Sequence, residues 1–161
     1  MGHRESDLPM AMAELAEDFQ SVSAKERLQI LLELADGVPE LPERYAGNLD
    51  KLERVDECQS PVFVIAELRD DGFRTVRLYF EAPDEAPTTK GFAGILYESL
   101  DGLPAQSVLD VPDDAPFRFG LAEAVSPLRM RGMVGMLSRI KRQVALRLES
   151  DATSVANEEQ S

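Results

Sequence analysis

The 161-residue chain predicts an α+β fold: a small three-stranded antiparallel sheet with helices packed on one face. Three observations carry this expectation. Apolar residues recur at helical spacing toward both ends of the chain, near-continuous and alternating apolar runs sit together between them, and a tight-turn signal separates two of those runs.

Leu8, Met12, Leu15 and Phe19 recur behind Pro9, whose fixed φ and missing N–H suit a first helical turn. Ser23-Ala24-Lys25-Glu26 opens a second helix as a capping box, in which serine and glutamate each satisfy the other's orphan backbone N–H. Leu28, Leu31, Leu32 and Ala35 continue its apolar stripe to Gly37. Val38-Pro39-Glu40-Leu41-Pro42 then ends helical structure, because each proline lacks a donor and clashes with the preceding turn.

A short strand is predicted around Arg54 to Glu57. Val62 to Leu68 is nearly all apolar and reads as a buried strand, whereas Thr75 to Phe80 alternates Val76, Leu78 and Phe80 against Arg77 and Tyr79. Asp70-Asp71-Gly72 between them suits a hairpin turn. After an acidic link from Ala82 to Pro87, Lys90 to Leu100 is predicted helical, with Phe92, Ile95, Leu96 and Leu100 on one side and Gly102 past its end. Leu103 to Leu109 reads as a short helix begun near Pro104, and Val111 to Leu121 as a loop anchored by Phe117 and Phe119. Ser126-Pro127 is a cap and first-turn pair for the last helix, which carries Met130, Met133, Val134, Leu137, Ile140, Val144 and Leu148 as its stripe. Beyond Glu149 periodicity lapses into polar, acidic residues. The expected organisation is a flexible N-terminus over 1–7, one domain over 8–149 and a disordered acidic tail over 150–161.

Composition narrows the function classes. A net charge of −13 and a pI near 4.5 argue against nucleic acid and against an anionic membrane surface as ligands, since both are bound by clustered Lys and Arg. No apolar run approaches the roughly 18 residues of a membrane span. The first nineteen residues carry acids throughout their apolar stretch, unlike a signal or transit peptide, so a cytoplasmic location is expected.

The chain has one cysteine, Cys58, and one histidine, His3. A structural zinc site takes about four Cys/His ligands and an iron–sulfur cluster about four thiolates, so one protomer holds neither. An internal disulfide is excluded by the same count, and so little cysteine suits a reducing compartment. A Cys–His hydrolase would need its imidazole from His3, in a terminus expected to be mobile. What remains is a thiol that acts alone, by exchange or by covalent carriage, or an inert half-buried thiol. Cys58 sits where a polar turn feeds the buried strand, a position that leaves a sulfur free to meet a partner. Its neighbours Asp56 and Glu57 disfavour the thiolate, and Arg54 or a distant arginine folded onto the loop would offset them.

The last helix concentrates cation in an acidic chain: Arg129, Arg131, Arg139, Lys141, Arg142 and Arg147 lie in a stretch without acids. Such a stripe docks on an acidic partner or pairs with the protein's own carboxylates. Arg129 falls in the first turn, against the helix dipole, which suggests a specific task. Gly132 and Gly135 each cost about 1 kcal/mol in a helix interior and so point to close packing of another element. Met130, Met133 and Met136 read as core filler.

Cys58-Gln59-Ser60 followed by Val62-Phe63-Val64 resembles the sulfur-acceptor proteins of the SufE family. Leu41 in its proline-flanked turn, Lys90-Gly91-Phe92 and Ser126-Pro127-Leu128-Arg129 match in order and spacing, over roughly residues 8 to 149. The resemblance implies a SufE/NifU-like fold and a persulfide received on Cys58 from a pyridoxal-phosphate-dependent, SufS-like cysteine desulfurase, whose activity the protein stimulates while supplying iron–sulfur assembly and its scaffold proteins. It implies that Gln59 and Ser60 shape the loop, that Arg129 contacts the partner or the persulfide, that Lys90 is structural, and that the chain is a carrier without a cofactor of its own rather than a stand-alone enzyme. Two positions depart from the pattern: Glu57 stands where the family has glycine, and Phe63 where it has tryptophan. A regulatory binding module for a desulfurase or related partner, and sulfur relay to RNA or cofactor thiolation, stay open as alternatives.

Overall fold

The computed structural model describes residues 7–160, so His3 and all but Asp7 of the expected flexible N-terminus lie outside the described residues. The elements are α1 (Met10–Gln20), α2 (Ala24–Asp36), β1 (Glu53–Arg54), β2 (Phe63–Leu68), β3 (Val76–Glu81), α3 (Pro87–Leu100), α4 (Ala105–Leu109) and α5 (Pro127–Gln160). The strands form one antiparallel sheet in the order β1-β2-β3, the fold class the sequence predicts.

Register follows from the side-chain pattern. Val64, Ala66 and Leu68 stand opposite Phe80, Leu78 and Val76 and turn toward the helices. Phe63, Ile65 and Tyr79 turn the other way, where Leu41, Tyr45 and Leu52 cover them. The 38–52 connection therefore lids the second face, which explains why β2 is apolar on both sides. Tyr45 and Tyr79 rings lie 5.4 Å apart, and the Arg44 guanidinium sits about 5 Å from each ring while pairing with Glu67 at 2.9 Å.

α3 is the central helix, with Phe92, Ile95, Leu96 and Leu100 almost wholly buried. It starts at Pro87, three residues before the predicted Lys90, because proline fits the first turn. Gly91 and Gly94 let it close on α2: a β-carbon at position 94 would stand 2.3 Å from the Leu34 carbonyl oxygen. The α2 capping box forms, with Glu26 N–H donating to Ser23 Oγ at 3.3 Å, but Glu26 answers through the Ser23 hydroxyl at 3.1 Å. Ser126 Oγ likewise accepts from Arg129 N–H at 3.3 Å and starts α5.

Two expectations about local structure are corrected. The β2–β3 connection is wider than an Asp-Asp-Gly turn: Arg69 N–H donates to the Thr75 carbonyl, Asp71 caps Thr75, and Arg74 takes a positive φ of 52°. The Val111–Leu121 loop contains 3-10 turns at Ala115–Phe119 and from Leu121 on. Phe119 is buried edge-to-face on Phe19 at 5.6 Å, whereas Phe117 is 52% exposed and anchors nothing.

α5 crosses the sheet and continues past Glu149 to Gln160, where a disordered tail was expected. No glycine or proline interrupts residues 150–160, and an Arg74–Asp151 ion pair ties this extension to the β2–β3 connection. Beside the short β1, α5 also completes the outer edge of β2: Gln143 accepts from Ala66 N–H at 2.8 Å and donates to the Val64 carbonyl at 3.4 Å and to Glu53 at 3.0 Å. No helix among the described residues is long and apolar enough to cross a membrane.

Candidate functional site

The loop that carries Cys58 is closed at its base, where Val55 N–H donates to the Val62 carbonyl at 2.9 Å and both valines are fully buried. Within it Cys58 N–H donates to the Val55 carbonyl at 3.1 Å, which bends the chain at the cysteine. The sulfur is not free at the bend, as the sequence suggested. Cys58 is only 8% exposed, because its side chain is laid against α5.

Two glycines make that contact. A β-carbon at Gly132 would stand 2.8 Å from Cys58 Sγ, and one at Gly135 would stand 2.7 Å from the Glu57 carboxylate. The close packing foreseen for this helix-interior pair is the docking of two consecutive loop residues, each into a gap left by a missing side chain.

Arg139, one turn further along α5, pairs with Glu57 at 2.7 Å and donates from Nε to the Arg54 carbonyl at 3.1 Å. It is the distant arginine that the acidic flank of Cys58 called for. Of the basic stripe, Arg139, Lys141 and Arg142 pair with the chain's own carboxylates, Glu57, Asp113 and Glu53 among them. Arg129, Arg131 and Arg147 make no ion pair among the described residues. The sequence leaves the stripe undivided, since which cation meets which acid depends on contacts between residues 28 to 89 positions apart.

Cys58, Gln59, Ser60, Thr88, Leu128 and Arg129 line one cleft of about 320 Å³. The structure thus brings together every site residue singled out from sequence. Gln59 and Arg129 are exposed and Ser60 is half-buried. The first turn of α3, Pro87 to Thr89, forms the facing wall, and nothing in those residues taken alone signals it. Lys90 pairs with Asp84 at 2.6 Å and stands outside the cleft.

Burial pushes the Cys58 thiol up to about 11. The Glu57 carboxylate adds to that rise and the Arg139 guanidinium opposes it. With its loop down, the cysteine is therefore a protonated and poorly nucleophilic thiol. Among the described residues no three His, Cys, Asp or Glu side chains gather to hold a metal ion.

Fold and site together define a small α+β domain that seats one thiol at the edge of a cleft, beside an arginine with no ion pair among the described residues. The chain belongs to the SufE family: the family model for an Fe–S metabolism associated domain matches residues 13–144. It is 47% identical over 139 residues to an uncharacterized SufE-like protein of Mycobacterium tuberculosis, covering 86% of this chain and 94% of that one. SufE-like protein 1, chloroplastic/mitochondrial, of Arabidopsis thaliana is 28% identical over 144 residues, covering 89% of this chain and 37% of the plant protein. The solution structure of a hypothetical protein from Thermus thermophilus superposes with a TM-score of 0.74 at 43% identity, covering 88% of this chain and 98% of that one. The chain thus carries a domain of Fe–S metabolism.

Proposed function

We propose that this protein accepts sulfur on Cys58 from a pyridoxal-phosphate-dependent, SufS-like cysteine desulfurase and carries it as a persulfide to iron–sulfur assembly. The observation that carries this reading is the placement of a lone thiol over Gly132, at the edge of a cleft whose rim holds Arg129.

Transfer is a thiol exchange. Cys58 loses its proton, and the thiolate attacks the outer sulfur of a persulfide on the desulfurase cysteine. The Cys58 Sγ–S bond forms as the donor's S–S bond breaks, and the donor cysteine leaves as a thiolate that takes up a proton. No oxidant or reductant enters, and a chain without a second cysteine cannot discharge the product as an internal disulfide.

The seated loop suits the other half of a carrier's task. Against α5 the thiol is protonated and shielded from small thiols. Lifted into solvent its pKa returns toward the ordinary value of about 8.5, and its thiolate fraction at neutral pH rises about three-hundredfold. Docking that lifts the loop therefore switches reactivity on where the donor is present. Gln59 and Ser60 shape the loop tip, and Arg129 offers a cation to the anionic outer sulfur or to the partner's surface.

Incubation with desulfurase, its cofactor and cysteine should add about 32 Da, one sulfur atom, to Cys58 by mass spectrometry. An unmodified Cys58 beside a persulfide-loaded donor defeats the reading. Cys58→Ser separates it from a regulatory module: a carrier variant still docks but no longer stimulates the desulfurase, whereas a module that acts by docking alone keeps its effect.

A further inference from the structure

Arg139 spans the gap between α5 and the segment leading to Cys58, and its side chain is only 14% exposed. Nη1 is held to its own helix by the Gly135 carbonyl at 3.2 Å and to the loop by Glu57 Oε1 at 2.7 Å. Nε donates to the Arg54 carbonyl at 3.1 Å, and the guanidinium stands 3.5 Å from Glu53 and 3.8 Å from Asp56. Glu57 is the residue next to Cys58, and its carboxylate occupies the gap at Gly135 just as the sulfur occupies the gap at Gly132. One cation thus grips the chain on the approach to the cysteine and at the cysteine's immediate neighbour. A partly buried guanidinium with several simultaneous acceptors holds geometry better than an exposed pair does.

We propose that Arg139 is a positioning residue that fastens the Cys58 loop to α5 through Glu57, so that the sulfur leaves its place over Gly132 when Glu57 is drawn off Arg139. The two partners differ in access. The Glu57 side chain is 40% exposed, so a lysine or arginine on a docking surface reaches it and competes with Arg139. The use of this release in sulfur transfer rests on the carrier role proposed above; the fastening itself does not.

Arg139→Gln distinguishes fastening from simple electrostatics, because the two predict opposite signs. The Arg139 cation favours the Cys58 thiolate, so loss of its charge alone slows alkylation of the thiol. Loss of the fastening exposes the sulfur and speeds it. Iodoacetamide alkylation of the isolated, folded protein is expected to accelerate about tenfold or more in Arg139→Gln, with Arg139→Lys returning toward the wild-type rate. Glu57→Gln, which keeps shape and removes only charge, supplies a second readout that does not depend on the thiol: faster hydrogen exchange at the Cys58 amide. An alkylation rate unchanged or lowered in Arg139→Gln overturns the proposal, as does unchanged exchange in Glu57→Gln. No desulfurase is present in either measurement, so their outcome is independent of whether Cys58 takes up sulfur.

Discussion

Cys58 Sγ rests where Gly132 leaves α5 without a side chain, 2.8 Å from the point a β-carbon would occupy. Helix and cysteine thus share one space. A methyl group at position 132 meets the sulfur alone, so Cys58 turns about χ1 or the loop yields, and either takes the sulfur out of its seat. Gly132→Ala is expected to raise the alkylation rate of Cys58 in the isolated protein. The gain of about 1 kcal/mol in helix propensity offsets the lost contact, so the thermal midpoint should stay close to that of the wild type. A wild-type alkylation rate in a folded Gly132→Ala protein contradicts this account of the seat.

The seated thiol also predicts a pH profile. Because burial and Glu57 push Cys58 up to about 11, alkylation of the folded protein should keep climbing with pH after the unfolded chain in urea, whose midpoint lies near 8.5, has levelled off. The sign for stability follows. Between those two values the unfolded chain has released a proton that the folded one still holds, so stability falls as pH rises through that window. Matching plateaus in folded and unfolded protein would exclude the shift.

Arg129 makes no ion pair among the described residues and its side chain is exposed, so Arg129→Ala should change stability by no more than about 0.5 kcal/mol. It should weaken desulfurase stimulation, with the larger deficit at low salt, where long-range attraction counts most. The measurement is stimulation at two ionic strengths beside a denaturation curve. Undiminished stimulation removes Arg129 from the site.

The α2–α3 contact has no such slack. A β-carbon at Gly94 would lie 2.3 Å from Leu34 O and 2.7 Å from its carbonyl carbon, both backbone atoms. Gly94→Ala should lower stability by about 1–3 kcal/mol or more in urea denaturation. Gly72→Ala, in the wide β2–β3 connection with nothing within 4 Å, is the matched control and should change little.

Local signals carried most of the fold. The Ser23 and Ser126 caps, the alternation of Val76, Leu78 and Phe80, and the stripe of α5 each depend on neighbours a few residues apart, so all were readable from sequence. The boundary at Glu149 was misread because a loss of apolar periodicity says only that a helix stops burying a face. The site was half legible. Cys58 and its loop companions stood out as residues, and the glycine pair announced that something packs on α5. What packs there, and that Arg139 rather than Arg142 meets Glu57, are consequences of how a loop near residue 57 folds onto a helix some eighty residues later. No local pattern encodes that pairing. Phe117 shows the opposite failure: an aromatic in a loop looks like an anchor unless its solvent exposure is known.

The side-chain amide of Gln143 offers β2 one acceptor and one donor, the same pair of groups that a neighbouring backbone would present. With β1 only two residues long, that margin of the sheet would otherwise be a ready template for a strand from another molecule. A single glutamine on a crossing helix denies it that partner, and so guards a small acidic protein against edge-to-edge aggregation in a crowded solution.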